Sequence, residues 1–239
     1  MKKLLIIKTG PTLDNIREKY GDFEDMIINN AGLDKGNVKV WSVFYDKAVP
    51  GLEDVSAIII TGSHAMVTDY EDWSVMLSNW LIDNASKNIP TLGICYGHQL
   101  LADTLGGVVD YHPKGQELGT VKIELTEEGK RDPLLGHLPE VFLAHVAHSQ
   151  TVLKLPVNAR ILAKNSFDSH HAFALNNHIW GVQFHPEFNA GVTASYIEEI
   201  KGAQTKDVNS VMEMEKSVQE HHFGKILLKR FIELANSNL

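Results

Sequence analysis

The chain has 239 residues, with 22 lysines and arginines against 30 aspartates and glutamates, and one cysteine among them. Its formal charge of -8 carries no basic cluster, which argues against a general nucleic-acid surface. The length suits one α/β domain with an appendage, and a lone cysteine permits no intrachain disulfide and fits a reducing compartment. The first expected element is a buried strand over Leu4 to Ile7. With Met1-Lys-Lys before it, this start has the look of a signal peptide. The apolar run ends at Lys8, however, too short for a signal core, and no later run approaches a membrane span. A cytoplasmic protein is expected. A helix is expected from about Asp14 to Asn30, then strands over Val38 to Phe44 and Ala57 to Thr61. Trp73, Met76, Leu77, Trp80 and Leu81 give Asp72 to Lys87 helical spacing with an apolar stripe that reads as core. A strand then runs to Cys95, and a helix from Tyr96 to Leu105 stops at Gly106-Gly107.

Past that point the alternation with helices ends. Short strands are expected at Val121 to Leu125, Val141 to Ala144, Ala159 to Ala163, Ala172 to Leu175 and Ile179 to Phe184. A helix is expected over Val208 to Leu234, with Gly202 to Asp207 separating it from an earlier one; its apolar stripe reads as packing on the same domain. Strands alternating with helices predict a three-layer α/β fold, a mostly parallel central sheet flanked by helices, with sites at the carboxyl ends of its strands. A small antiparallel sheet and a C-terminal helical extension complete the expected fold. Residues 1–190 are expected to form the catalytic domain, and 191–239 the extension packed on it.

The cysteine stands in Gly93-Ile-Cys95-Tyr-Gly97, at the junction of a predicted strand and a predicted helix. This is the nucleophile-elbow pattern G-x-Nuc-x-G with sulfur in place of oxygen. A sharp strand-to-helix turn strains the nucleophile's backbone, and its neighbours must lack side chains for the chain to pass. The helix N-terminus also favours thiolate over thiol. Taken alone, the same cysteine reads equally as a small buried apolar residue. Far downstream, Gly181-Val-Gln-Phe184-His185-Pro186-Glu187 ends a strand in an imidazole with a carboxylate two residues on. Proline after the histidine fixes the way the chain leaves the strand. Thiol, imidazole and orienting carboxylate are the parts of a cysteine triad, Cys95, His185 and Glu187, provided the two strand ends are neighbours.

The pair Gly-Ile-Cys95-Tyr-Gly-His-Gln99 and Gly-Val-Gln-Phe-His185-Pro-Glu187 resembles the class I (triad) glutamine amidotransferases, in particular the domain found in GMP synthase. Ile58-Ile-Ile-Thr-Gly62-Ser63, Gly115-Gln-Glu117-Leu-Gly119, His148-Ser149-Gln150-Thr151-Val152 and the segment Ala163 to Phe173 resemble further family segments in order. The likeness covers roughly residues 1 to 190. It implies attack by Cys95 on a γ-glutamyl amide carbon, with His185 managing protons and a γ-glutamyl thioester as intermediate. It also implies an oxyanion hole of backbone N–H groups at Gly62 or Ser63 and at Tyr96. Gln99, Ser149, Gln150 and Thr151 would contact the amino-acid end of the substrate. No cofactor and no metal are implied.

Two departures matter. Thr61-Gly62-Ser63-His64 stands where the family usually has Gly-Gly-Pro, and it resembles relatives that cleave γ-glutamyl peptides. Gln150 stands where related synthase domains often carry aspartate, and a neutral amide pairs less strongly with an ammonium. No nucleotide-binding signature is found, so either a separate synthase subunit accepts ammonia, or the protein is a stand-alone hydrolase of glutamine or γ-glutamyl peptides. A catalytically silent binding or regulatory module is the reading from another class. His145 and His148 have a spacing that binds metal convincingly only on a helix with a third ligand nearby, so they are expected to be structural. His98 is expected beside the nucleophile as a structural residue, and His64 could touch substrate.

Overall fold

A computed structural model describes residues 2–46, 48–202 and 208–237. Most of the expected separator from Gly202 to Asp207 lies outside the described residues. The first half alternates as expected: β1 (Lys3–Lys8), α1 (Asp14–Tyr20), α2 (Phe23–Ala31), β2 (Val38–Ser42), β3 (Val55–Ile60), α3 (Asp72–Asn84), β4 (Thr91–Ile94) and α4 (Tyr96–Thr104). Then come β5 (Val108–Tyr111), β6 (Glu117–Leu125), α5 (Glu127–Arg131), β7 (Val141–His148), β8 (Gln150–Lys154), β9 (Arg160–Lys164), β10 (Ala172–Leu175) and β11 (Ile179–Val182). Helices α6 (Ala190–Gly202), α7 (Val208–Ser217) and α8 (Phe223–Ser237) follow.

One large sheet has the order β2-β1-β3-β4-β11-β10-β9-β6-β7. From β2 to β11 every neighbour is parallel; from β11 to β7 every neighbour is antiparallel. A separate two-stranded antiparallel sheet pairs β5 with β8. The buried parallel strands alternate between two cores. Leu4, Ile6, Ala57, Ile59 and Leu92 pack with α2 and α8, while Leu5, Ile7, Ile58 and Ile60 pack with α3 and α4. Period-two side-chain alternation with both faces covered produces the three layers.

Two long expected helices are each broken. The segment Asp14 to Asn30 divides at Gly21, whose φ of 83° is one that a side chain would resist. Asp22 then caps α2 in a reciprocal capping box with Asp25. Its carboxylate also accepts from Thr12 N (2.8 Å) and pairs with Lys8 Nζ (2.7 Å), so the break is anchored to β1. Val208 to Leu234 divides between α7 and α8, although no Gly or Pro marks the place. There Gln219 N bonds Thr120 Oγ1 (3.1 Å) and Thr120 N bonds Ser217 Oγ (3.3 Å). Capture by β6 turns the chain, and α8 lies down on the sheet. Gly224 allows this approach, since a Cβ there would sit 2.3 Å from the Pro186 carbonyl oxygen.

Phe231 is fully buried on α8 and meets Trp180 edge-on at 6.2 Å. Phe231→Ala is expected to destabilise the fold by about 3–5 kcal/mol, as large-to-small core changes do. Urea unfolding reads this directly, and a loss under about 1 kcal/mol would show that α8 is not part of the cooperative core.

Candidate active site

The parallel neighbours β4 and β11 run in register, with Ile94 opposite Val182. Their carboxyl ends open at one edge of the sheet, so the residues that follow them meet despite their long separation in sequence. Cys95 comes directly after β4, and its N–H still reaches the Val182 carbonyl oxygen (2.9 Å). Its backbone has φ 50° and ψ -100°, a strained conformation for a residue with a Cβ. Both flanking glycines are required by close approach. A Cβ on Gly93 would sit 2.4 Å from the Gly97 carbonyl oxygen, and one on Gly97 2.6 Å from that of Ile60. Any side chain at either place forces α4 off the sheet.

His185 follows β11, and its N–H is held by the His145 carbonyl oxygen on β7 (2.8 Å). Its Nδ1 lies 2.8 Å from Glu187 Oε1. The ring stacks on Phe188 with centroids 4.0 Å apart. Cys95, His185 and Glu187 are 5, 4 and 1% exposed. Burial alone would favour the neutral ring. The carboxylate of Glu187 and the sulfur of Cys95, which also hydrogen-bonds the ring, outweigh it and push the pKa up to about 10. The thiol lies 3.8 Å from the Ala147 carbonyl oxygen. On the far side, Asn30 Nδ2 donates to the Glu187 carbonyl oxygen (2.6 Å), tying the pair to α2.

Gly62 lies early in the loop after β3, close enough to the imidazole that a Cβ would come 2.9 Å from His185 Cε1. Its carbonyl oxygen accepts from Thr9 Oγ1 and from Thr61 Oγ1, each at 3.0 Å. Peptide planarity then aims the Ser63 N–H the opposite way. Tyr96 opens α4, so its N–H sits at the helix N-terminus. Its hydroxyl is buried elsewhere, 2.6 Å from Ser74 Oγ. Among the described residues, the N–H groups of Gly62, Ser63 and Tyr96 meet no acceptor.

A cavity of about 210 Å³ opens in front of the thiol, bordered by Ser63, Cys95, Gln99, Ser149, Gln150 and His185. The sequence expectations for its polar side chains need correction in one place, at Thr151. Gln150 borders the cavity, and both ends of its amide are anchored in another loop, each with one further bond to offer. Oε1 accepts from Val67 N (3.0 Å) and Nε2 donates to Thr68 Oγ1 (2.6 Å), which braces the loop before α3. Thr151 does not border the cavity. It follows Gln150 on β8, and successive strand residues face opposite ways; its hydroxyl donates to the Asp168 carboxylate. Gln99 Nε2 donates to the Gln150 carbonyl oxygen (2.8 Å) and to Gln183 Oε1 (3.0 Å), leaving the Gln99 amide oxygen without a partner among the described residues.

The sequence reading missed the wall that α6 supplies. Tyr196, Glu199 and Ile200 line the cavity, and their i, i+3, i+4 spacing on one helix face was the available signal. The Tyr196 hydroxyl sits 2.8 Å from Thr12 Oγ1 and 3.4 Å from His64 Nε2. His64 also lines the cavity; burial and the nearby His185 hold its pKa below the ordinary value. Glu199 is exposed, and it is the one carboxylate lining the cavity among the described residues. No lysine or arginine lines it.

His145 and His148 stand three apart on β7 and so face opposite sides. His145 stacks on His221 with centroids 4.2 Å apart, while His148 Nε2 meets Glu117 Oε2 at 3.0 Å. His98 is buried against Phe173 (5.1 Å), and burial pushes its pKa down to about 3. It is a neutral packing residue.

The family model described as glutamine amidotransferase class-I matches residues 16–201. Gamma-glutamyl peptidase 4 of Arabidopsis thaliana is 27% identical, over 97% of this chain and 96% of its own. The glutamine-hydrolyzing GMP synthase of Aeropyrum pernix is 42% identical over 98 residues, which are 41% of this chain and 18% of its own. Among solved structures, a glutamine amidotransferase from Thermotoga maritima covers 98% of both chains with a TM-score of 0.76 at 18% identity. Another, from Methylobacillus flagellatus, gives 0.75 at 20% identity over 98% of this chain and 95% of its own. Likeness at these identities speaks for the fold alone; the family match, over most of the residues, carries the assignment. The chain belongs to the class-I glutamine amidotransferase family.

Proposed function

We propose that the protein hydrolyses a γ-glutamyl amide bond through a Cys95 thioester. The observation that carries this is His185 held between the Glu187 carboxylate and the Cys95 sulfur at two adjacent strand tips. The sulfur attacks the amide carbon, forming the S–C bond, while His185 holds the proton that the pair shares. N–H groups at Tyr96 and at Gly62 or Ser63 hold the developing oxyanion. Collapse breaks the C–N bond, and the imidazolium proton goes to the leaving nitrogen. Water, deprotonated by the same ring, attacks the thioester and releases glutamate and the thiol. Glu187 keeps the ring oriented throughout. Ser149 and the free amide oxygen of Gln99 face the amino-acid end of the substrate.

The α-ammonium is the one positive charge of a γ-glutamyl substrate. Gln150 is neutral, so among the described residues that line the cavity Glu199 is the counter-charge available. Glu199→Gln is expected to raise KM for a γ-glutamyl anilide about 10-fold, while the des-amino glutaryl anilide is turned over unchanged. Equal effects on both substrates would remove Glu199 from this role.

Relatives that span nearly the whole chain carry the name gamma-glutamyl peptidase, whereas the GMP synthases match 41 to 60% of it. This favours a free-standing hydrolase over a subunit that passes ammonia to a synthase. On the same reading residues 1–190 form the catalytic domain and 191–239 a helical extension of it, in which α6 supplies one cavity wall. The deciding assay offers glutamine and a γ-glutamyl dipeptide to the purified chain. Glutamate release from either without a partner is expected. No release from either, together with no adduct on Cys95 from a glutamine-like electrophile, would reject the reading in favour of a silent binding module.

A further inference from the structure

Beside the thiol site, three buried side chains from separate strands converge. Glu117 opens β6, His148 closes β7, and His171 directly precedes β10. One donor atom from each lies within 4.8 Å of the others. Glu117 Oε2 is 3.0 Å from His148 Nε2 and 3.1 Å from His171 Nε2. Their side chains are 8, 1 and 0% exposed, in the order Glu117, His148, His171.

The hydrogen positions follow from the neighbours. His148 Nδ1 lies 2.9 Å from the Gln150 carbonyl oxygen. A carbonyl only accepts, so Nδ1 carries the hydrogen. In the neutral ring, Nε2 then presents a bare lone pair to a carboxylate. Two facing lone pairs in a buried site repel unless a cation, either a proton or a metal ion, stands between them. A proton on Nε2 answers for His148 alone. His171 Nδ1 is buried without a hydrogen bond among the described residues, and its Nε2 faces Glu117 Oε2 at 3.1 Å, close enough to act on that carboxylate. A buried polar group left unmatched costs about 1–3 kcal/mol. One dication accepts a lone pair from all three residues at once.

The surroundings suit such an ion. The Gln150 carbonyl orients His148, and Asn165 Nδ2 donates to Glu117 Oε1 at 2.7 Å. Outer partners of this kind hold metal ligands in place. Asp168 is a second buried carboxylate, close enough to act electrostatically on both His148 and His171, so that two carboxylates offset a dication. A surface groove lined by Glu117, Asn165 and Ser166 gives access.

We propose that Glu117, His148 and His171 form a divalent metal site, with zinc the ion that best fits two imidazoles and a carboxylate. Zinc at 2.0–2.1 Å from each donor sets tetrahedral donors about 3.3 Å apart, close to the two separations from Glu117. The ion would join β6, β7 and the start of β10. It would also stiffen the cavity wall, because the Gln150 carbonyl that braces His148 also accepts from Gln99. It takes no part in the thiol chemistry.

The test uses the full chain carrying Cys95→Ala, which removes the catalytic thiol as a competing ligand. After chelator treatment it is titrated with zinc at neutral pH by calorimetry, with metal content read by mass spectrometry. Uptake of about one equivalent, a zinc-dependent rise in Tm, and an affinity at least about 100-fold lower in His171→Asn are expected. Uptake below about a tenth of an equivalent, or unchanged affinity in a folded His171→Asn, overturns the proposal. Should that variant fail to fold, X-ray absorption of the zinc-loaded parent decides. Two imidazoles with oxygen support the site, and any other ligand set overturns it.

Discussion

Cys95→Ala is expected to reduce γ-glutamyl amide hydrolysis to background, a loss on the order of 10⁴-fold or more, because no other group can form the acyl intermediate. Alanine keeps the Cβ, so the strained backbone at φ 50° is no worse than before, and the flanking Gly93 and Gly97 still let α4 meet the sheet. The thiol touches the cavity, so its loss leaves no sealed void, and Tm should stay within about a few degrees of the parent. Steady-state glutamate release and thermal unfolding together check this. In the parent, intact-mass spectra after rapid acid quench should show a glutamyl adduct that the variant lacks. A variant that retained a tenth of the activity would remove the thioester from the mechanism.

The second large effect concerns Glu187. Glu187→Gln keeps the shape but removes the anion that faces His185 Nδ1 at 2.8 Å. An amide presented to Nδ1 no longer stabilises the imidazolium, and turnover is expected to fall about 10²–10⁴-fold. The same pair should also be visible in stability. The His185 pKa is raised to about 10 in the folded chain, above the value near 6.5 of an unfolded histidine. The folded state therefore binds the proton more tightly. That contribution is present in full below about pH 6.5 and is lost as pH rises toward about 10. Urea midpoints across this window should decline in the parent and decline less in Glu187→Gln, since the anion that raises the pKa is gone. Parallel pH profiles in the two proteins would show that the pair does not carry the proton as described.

The C-terminal strand-and-helix segments show where local pattern stops being informative. The apolar stripe from Phe223 to Leu234 announced a packed helix, and α8 is one. The break before it was invisible, because Thr120 on β6 makes it by bonding Gln219 and Ser217 from a distant part of the chain. The break between α1 and α2 was closer to legible. Gly21 and the Asp22 to Asp25 capping pair are local signals, and an unbroken helix overlooked them. Strands β5 and β8 escaped notice because each is short and takes its hydrogen bonds from the other, not from the main sheet. Gln150 shows the same limit at the site. Its place beside the cavity was foreseeable, but not that its amide anchors Val67 and Thr68, residues in another loop.

What the sequence by itself determined was the chemistry that rests on local geometry. The elbow around Cys95 needs two glycines at fixed places. His185, Pro186 and Glu187 are bound to one strand exit, and alternation with helices demands a parallel sheet. Only the tertiary structure decided which strands are neighbours, and therefore that the β4 and β11 exits bring Cys95 to His185. It alone assigned Glu199 and Tyr196 on α6 to the cavity wall and gathered Glu117, His148 and His171 from three strands. Contacts of that kind are made by packing between segments remote in sequence, and no local periodicity encodes them.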